Sequence, residues 1–156
     1  MIQRIQTVLL FLVALLLIIS LFFPVWEATS GSNTQVELDP FQITLKSGDA
    51  ITAEKSVFYI AALMIVSAGI ALYSIFQYKK RMLQVRLGLF NTLVLGGIIG
   101  TYFLGISQSE KLLENIENQH FLFSFYTPLL AILLNLMANR YIRKDEALVR
   151  SVDRIR

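Results

Sequence analysis

The sequence predicts an all-α membrane protein: a four-transmembrane-helix bundle, N-in/C-in, with a small external β-hairpin in its first outer loop. Three observations predict it. Four apolar stretches, at about 7–26, 56–78, 87–106 and 121–141, carry no Lys, Arg, Asp, Glu or His in their central parts. Each is about 20 residues long, enough at about 1.5 Å per residue to cross a hydrocarbon layer of about 30 Å. Hydrophobic residues make up 55% of the 156, with a mean hydropathy of +0.60, more apolar than an ordinary soluble domain. The loops between the stretches alternate in charge, and a Lys/Arg excess marks the cytoplasmic side.

That alternation sets the orientation. The N-terminus, the 79–86 turn and the C-terminal tail hold 11 of the 14 Lys and Arg against three acids, a net +8. The other two loops, 27–55 and 107–120, hold three Lys against eight acids, a net −5, which restores the overall +3. Both termini are therefore expected inside, and the two acidic loops outside. A basic face of this kind suits an anionic lipid surface, so the high pI is not a nucleic-acid signal. The expected setting is the bacterial cytoplasmic (inner) membrane, multi-pass, with the lipid bilayer as the first partner.

The first stretch opens on Arg4 and closes at Pro24 and Trp26. It is slightly too long for a signal-peptide core, and its Trp suits a headgroup-level anchor, so it is expected to be retained. In the first outer loop Phe41, Ile43 and Leu45 alternate with Gln42, Thr44 and Lys46, the period of a half-buried strand. Gly48 and Asp49 form a turn and 50–53 the returning strand; Val36 and Leu38 extend the pattern upstream, where Pro40 limits a strand to an edge. Stretches two and three are joined by the short basic turn at 79–86, which makes them antiparallel neighbours. In the second outer loop Ser107 and Glu110 have capping-box spacing, and Leu112, Leu113, Ile116 and His120 share a face, predicting a short amphipathic helix. The fourth stretch starts among Phe121, Phe123, Phe125 and Tyr126, with Pro128 accommodated near its beginning. An amphipathic cytoplasmic tail, 142–156, follows within a single integral membrane domain of 1–156.

Little chemistry is visible. With no Cys and one His, thiol chemistry, disulfides and multi-His metal sites are excluded. The stretches lack the intramembrane carboxylate or His that ion-coupled transport uses. No P-loop, nucleophile elbow or metalloprotease motif is present. No catalytic, cofactor-binding or metal residue is assigned, and no cofactor is expected.

Three groups of residues remain as candidate contact sites. Gly88, Thr92, Gly96 and Gly100 put a small residue at every fourth position of stretch three, a ridge that lets another helix approach closely, within the protein or in a partner or oligomer. Asn91 and Asn135 are the most polar residues of the stretches and are expected at similar depth as an intramembrane polar pair. The tail alternates sign through Arg143, Lys144, Asp145, Glu146, Arg150, Asp153 and Arg154, a pattern suited to a defined protein contact or to folding back under the helices. Within it, Glu146 and Arg150 have the favourable acid-first i,i+4 spacing.

The ends of the chain also carry a likeness. Met1-Ile2-Gln3-Arg4-Ile5-Gln6-Thr7, followed by a Leu-rich run, and the closing segment from Ala138 through Arg140-Tyr141-Ile142-Arg143-Lys144-Asp145-Glu146 to Arg156, resemble a bacterial family of four-helix integral membrane proteins catalogued only as a domain of unknown function. The likeness covers the whole length and is most specific in the tail. It implies four helices and an inner-membrane location, and no activity or site residues. The architecture is also similar to claudin-like bundles, whose first outer loop forms strands, although their Cys pair is missing here.

The function expected is that of a non-enzymatic accessory or scaffold subunit of an inner-membrane complex, with a membrane-protein partner or a homo-oligomer. The alternative is a small oligomeric transporter or channel for an uncharged or lipid-like substrate, with Ser67, Ser74, Asn91, Thr92, Thr101 and Asn135 as its polar lining. An enzymatic reading would rest on Glu37, Asp39, Asp49 and Glu54 without a supporting motif.

Overall fold

The structure, a computed structural model, describes residues 3–31, 34–48, 50–78, 80–113 and 116–153. In chain order it runs α1 (Gln3–Ser20), β1 (Trp26–Ser30), β2 (Thr34–Leu38), β3 (Gln42–Ser47), β4 (Ala50–Ser56), α2 (Tyr59–Phe76), α3 (Arg81–Glu110), β5 (Asn118–Phe121) and α4 (Phe123–Asp153).

The five strands form one antiparallel sheet in the order β4-β3-β2-β1-β5. Because side chains alternate across a strand, the register lines up two apolar rows on one face: Trp26, Leu38 and Ile43, then Ala28, Val36 and Leu45. Trp26, Ala28, Val36, Leu38 and Ile43 are buried there. Glu27, Glu37 and Thr44 form a row on the opposite face. Below the apolar face, α1 packs against α2 and α4, and α3 packs against α2 and α4. A single core runs from the sheet down among the helices through Leu17, Ile60, Met64, Leu95, Ile98 and Tyr102. Gly105 makes the junction: a Cβ there would lie 3.1 and 3.2 Å from the two δ-methyls of Leu38 and 3.5 Å from the Ile60 Cδ1.

This architecture corrects the all-α, four-transmembrane-helix expectation. Among the described residues four helices stand with a five-stranded sheet, and two helices, Tyr59–Phe76 and Arg81–Glu110, are long and apolar enough to cross a membrane. The apolar part of α1, Ile5–Ser20, is shorter. The chain leaves that helix early. The amides of Leu21, Phe22 and Phe23 reach back only three residues, to Ile18, Ile19 and Ser20, and Pro24 has no N–H with which to continue. Trp26 then pairs in β1 and is 0% exposed, so it is a core residue and not a headgroup anchor. Helix α4 is continuous, but its apolar run is interrupted by Thr127, Pro128, Asn135 and Asn139 and passes into charged residues.

Two loop expectations change as well. The alternating segment forms β3 with β4, but these are two strands of a five-stranded sheet. Among the described residues the 107–120 segment carries no separate amphipathic helix. Helix α3 continues through Glu110, so Ser107 and Glu110 lie in its last turn instead of capping a new one. His120 belongs to β5, opposite Glu27.

Candidate functional site

Helix α3 holds five of the predicted site residues, and its neighbours sort them into two sets. On the face toward α2, the Ser67 hydroxyl donates to Asn91 Oδ1 at 2.8 Å. On the face toward α4, Asn135 Nδ2 donates to the Gly88 carbonyl at 2.6 Å and to Thr92 Oγ1 at 2.9 Å. Thr92 in turn donates to Gly88 O at 3.0 Å. The predicted pair is thus separated: Asn91 and Asn135 bond to different partners on different sides of α3. The reason is angular, since adjacent residues on a helix point about 100° apart, and Thr92 rather than Asn91 faces α4.

The small-residue ridge is divided too. Gly88 is buried against α4, where a Cβ would collide with the Asn139 amide. Gly96 and Gly100 are exposed, as is Gly97, and no heavy atom lies within 4 Å of where a Cβ of any of the three would sit. Large apolar side chains flank this open face, with Leu93 74% exposed, Phe103 56% and Leu104 60%. The upper half of the ridge is therefore an open apolar face that no part of the described chain covers.

At the opposite end from the sheet, α4 continues unbroken into the predicted tail. Asp145 binds Arg81 twice: Asp145 Oδ2 lies 3.3 Å from Arg81 Nη2, and Arg81 Nη1 donates to the Asp145 carbonyl at 3.2 Å. Asp145 is thus engaged inside the protein, while Arg143 and Lys144 are exposed and Glu146 is half-buried. Arg154 and the side chains of Arg150 and Asp153 lie outside the described residues, and so does the predicted Glu146–Arg150 pairing.

The acidic side of the sheet is held by Lys46, whose Nζ donates to Glu37 Oε2 at 2.8 Å. That hydrogen bond raises the Lys46 pKa. Burial, reinforced by the charge of Glu37 and opposed by that of Lys46, raises the Asp39 carboxyl above its ordinary 3.8. Glu54, on the exposed edge strand β4, pairs with Thr44 and so continues the Glu27–Glu37–Thr44 row two strands from Glu37, about 10 Å away, and Asp49 lies outside the described residues. The four acids of the enzymatic reading are therefore not gathered into one site among the described residues.

The sequence reading missed a set of buried amides below the Asn91 layer. Gln6, Gln84 and Asn139 are 5%, 3% and 4% exposed. Gln6 Nε2 and both polar atoms of the Asn139 amide lack hydrogen-bond partners, as do Asn91 Nδ2 and Asn135 Oδ1. The spacing Gln84–Gly88–Asn91 on α3 and Asn135–Asn139 on α4 was the available signal, because i, i+4 and i+7 share a helix face.

A family model described as Domain of unknown function (DUF4293) matches residues 2–155 of the chain. No curated protein matches it.

Proposed function

The chain belongs to the DUF4293 family over nearly its whole length, and we propose that it is a membrane-embedded, non-enzymatic accessory or scaffold subunit of a complex in the bacterial cytoplasmic membrane. In this reading α2 and α3 enter the lipid as a hairpin, with the basic turn between them on the inner side and the sheet outside. Outward-facing Val8, Phe11, Ile65, Val66, Leu133 and Met137 add to an apolar girdle around the helices.

The open glycine face of α3 carries the proposal. In lipid, helices gain nothing from burying apolar side chains against one another, and they associate where small residues let backbones come close. A face of Gly96, Gly97 and Gly100 with nothing against it is available to another subunit's helix. The test is isolation of the tagged protein from its native membrane in gentle detergent, beside a Gly96→Leu/Gly100→Leu variant. The expected result is a stoichiometric partner with the wild type and loss of that partner in the variant, with unfolding unchanged because nothing surrounds the two positions. A wild type that comes out alone, or only as a homo-oligomer, would overturn the subunit reading.

A further inference from the structure

Two of the buried amides, Gln6 and Gln84, line a cavity that we propose is a binding site for an anionic glycerophospholipid. The cavity has a volume of about 560 Å³ and lies at the basic end of the helices, within the range of small-ligand sites, about 300–1,000 Å³. Val8 of α1 with Ile75 and Phe76 of α2 gives it an apolar wall, and Gln6, Gln84 and the Arg81–Asp145 ion pair give it a polar one.

Three observations point to an amphiphile with an anionic head. Gln6 is 5% exposed and its amide nitrogen has no hydrogen-bond partner, so a donor has been carried into the interior at a cost that a ligand oxygen would offset. Arg81 is fixed in the wall by Asp145, and the two bonds recorded between them use two of the five guanidinium donors. At this end of the helices Lys80, Arg140 and Lys144 are exposed, while Arg86 and Arg143 line a separate groove with Met82 and Leu89. A phosphodiester accepts from both Arg81 and Gln6, with its acyl chain along Val8, Ile75 and Phe76. A free anion would leave that apolar wall unused.

The inference rests on the membrane reading, and the experiment separates the two. The purified full chain in dodecylmaltoside is titrated with dihexanoyl phosphatidylglycerol, the phosphate-free dihexanoylglycerol or inorganic phosphate, with bound lipid read by native mass spectrometry. Phosphatidylglycerol should bind at one saturable site, about tenfold tighter than dihexanoylglycerol, as expected for loss of about one charge-assisted bond, and inorganic phosphate should not compete. Gln6→Leu should lower phosphatidylglycerol affinity while leaving the lipid-free protein at least as resistant to unfolding, a combination that a purely structural Gln6 would not give. Arg81→Gln/Asp145→Asn, which removes both charges together, should abolish the headgroup preference. Arg86→Gln, outside the cavity, should change nothing. Equal binding of the two lipids, competition by phosphate, or an Arg86→Gln loss equal to that of the cavity variants would overturn the proposal. Release of the protein from native membranes by alkaline washing would instead overturn the membrane reading, and the detergent titration would still report on the cavity.

Discussion

Pro128 sits inside α4 and cannot donate to the carbonyl four residues back, that of Ser124. The structure supplies two substitutes: the Tyr102 hydroxyl at 3.2 Å, reaching across from α3, and the Thr127 hydroxyl at 2.8 Å. Tyr102 is 0% exposed and Thr127 2%, so no water stands in for a lost donor. Removing one hydroxyl, by Tyr102→Phe or Thr127→Val, leaves the other in place and should cost about 1 kcal/mol. Removing both leaves a buried acceptor with no donor, a further penalty of about 1–3 kcal/mol, so the double variant should be worse than the sum of the singles. Pro128→Ala restores an N–H aimed at Ser124 and should recover about 1 kcal/mol or more in the double variant, with a smaller effect in the wild type. The assay is denaturant titration in detergent micelles, followed through Trp26, the sole tryptophan. Strict additivity, together with an equal Pro128→Ala effect in both backgrounds, would refute the reasoning.

Other outcomes follow from the same geometry. Gly105→Leu would drive a side chain into Leu38 and Ile60 and should destabilise the fold by about 1–3 kcal/mol, whereas Gly96→Leu should leave unfolding unchanged; thermal scans of the two variants check the contrast. Ser124 Oγ lies 2.8 Å from both the Ser20 and Phe23 carbonyls, tying α4 to the end of α1. Ser124→Ala should therefore cost about 1–3 kcal/mol, seen as a lower midpoint in the same titration. Asp39 holds its proton more tightly folded than unfolded, so its contribution to stability is fully present below pH 3.8 and is lost as pH rises through the raised folded value. Asp39→Asn should accordingly stabilise the protein at neutral pH, with the gain vanishing in acid, as measured by unfolding across pH.

The helices and the strand alternation were legible in the sequence because each rests on local periodicity. Phe41 to Lys46 shows its pleat in its own residues, and so does the run from Tyr59 to Phe76. What was not legible depends on distant pairing. Asn118 to Phe121 forms a strand because β1, some 90 residues earlier in the chain, offers it an edge; all four of its residues are exposed, so no hydrophobic pattern announces it. Trp26 read as an interfacial anchor because its neighbours Phe22 and Phe23 are aromatic, yet Pro24 ends the helical path, and pairing with Leu38 and Phe121 holds it inside the sheet between β2 and β5. Within the candidate site, composition identified the glycine ridge and the two asparagines. Only the arrangement of neighbouring helices shows that Gly88 is filled by Asn139, that Gly96 and Gly100 are open, and that Asn91 and Asn135 face different partners.

The proposed placement in a membrane is tested most directly by single cysteines, since the native chain has none. Leu93, 74% exposed on the outer face of α3, and Thr52, exposed on β4, are each replaced by Cys and treated with a membrane-impermeant maleimide on intact cells. The account predicts that Thr52→Cys reacts at once, and that Leu93→Cys stays unreactive until the membrane is dissolved. Equal labelling of both positions in intact membranes would contradict it.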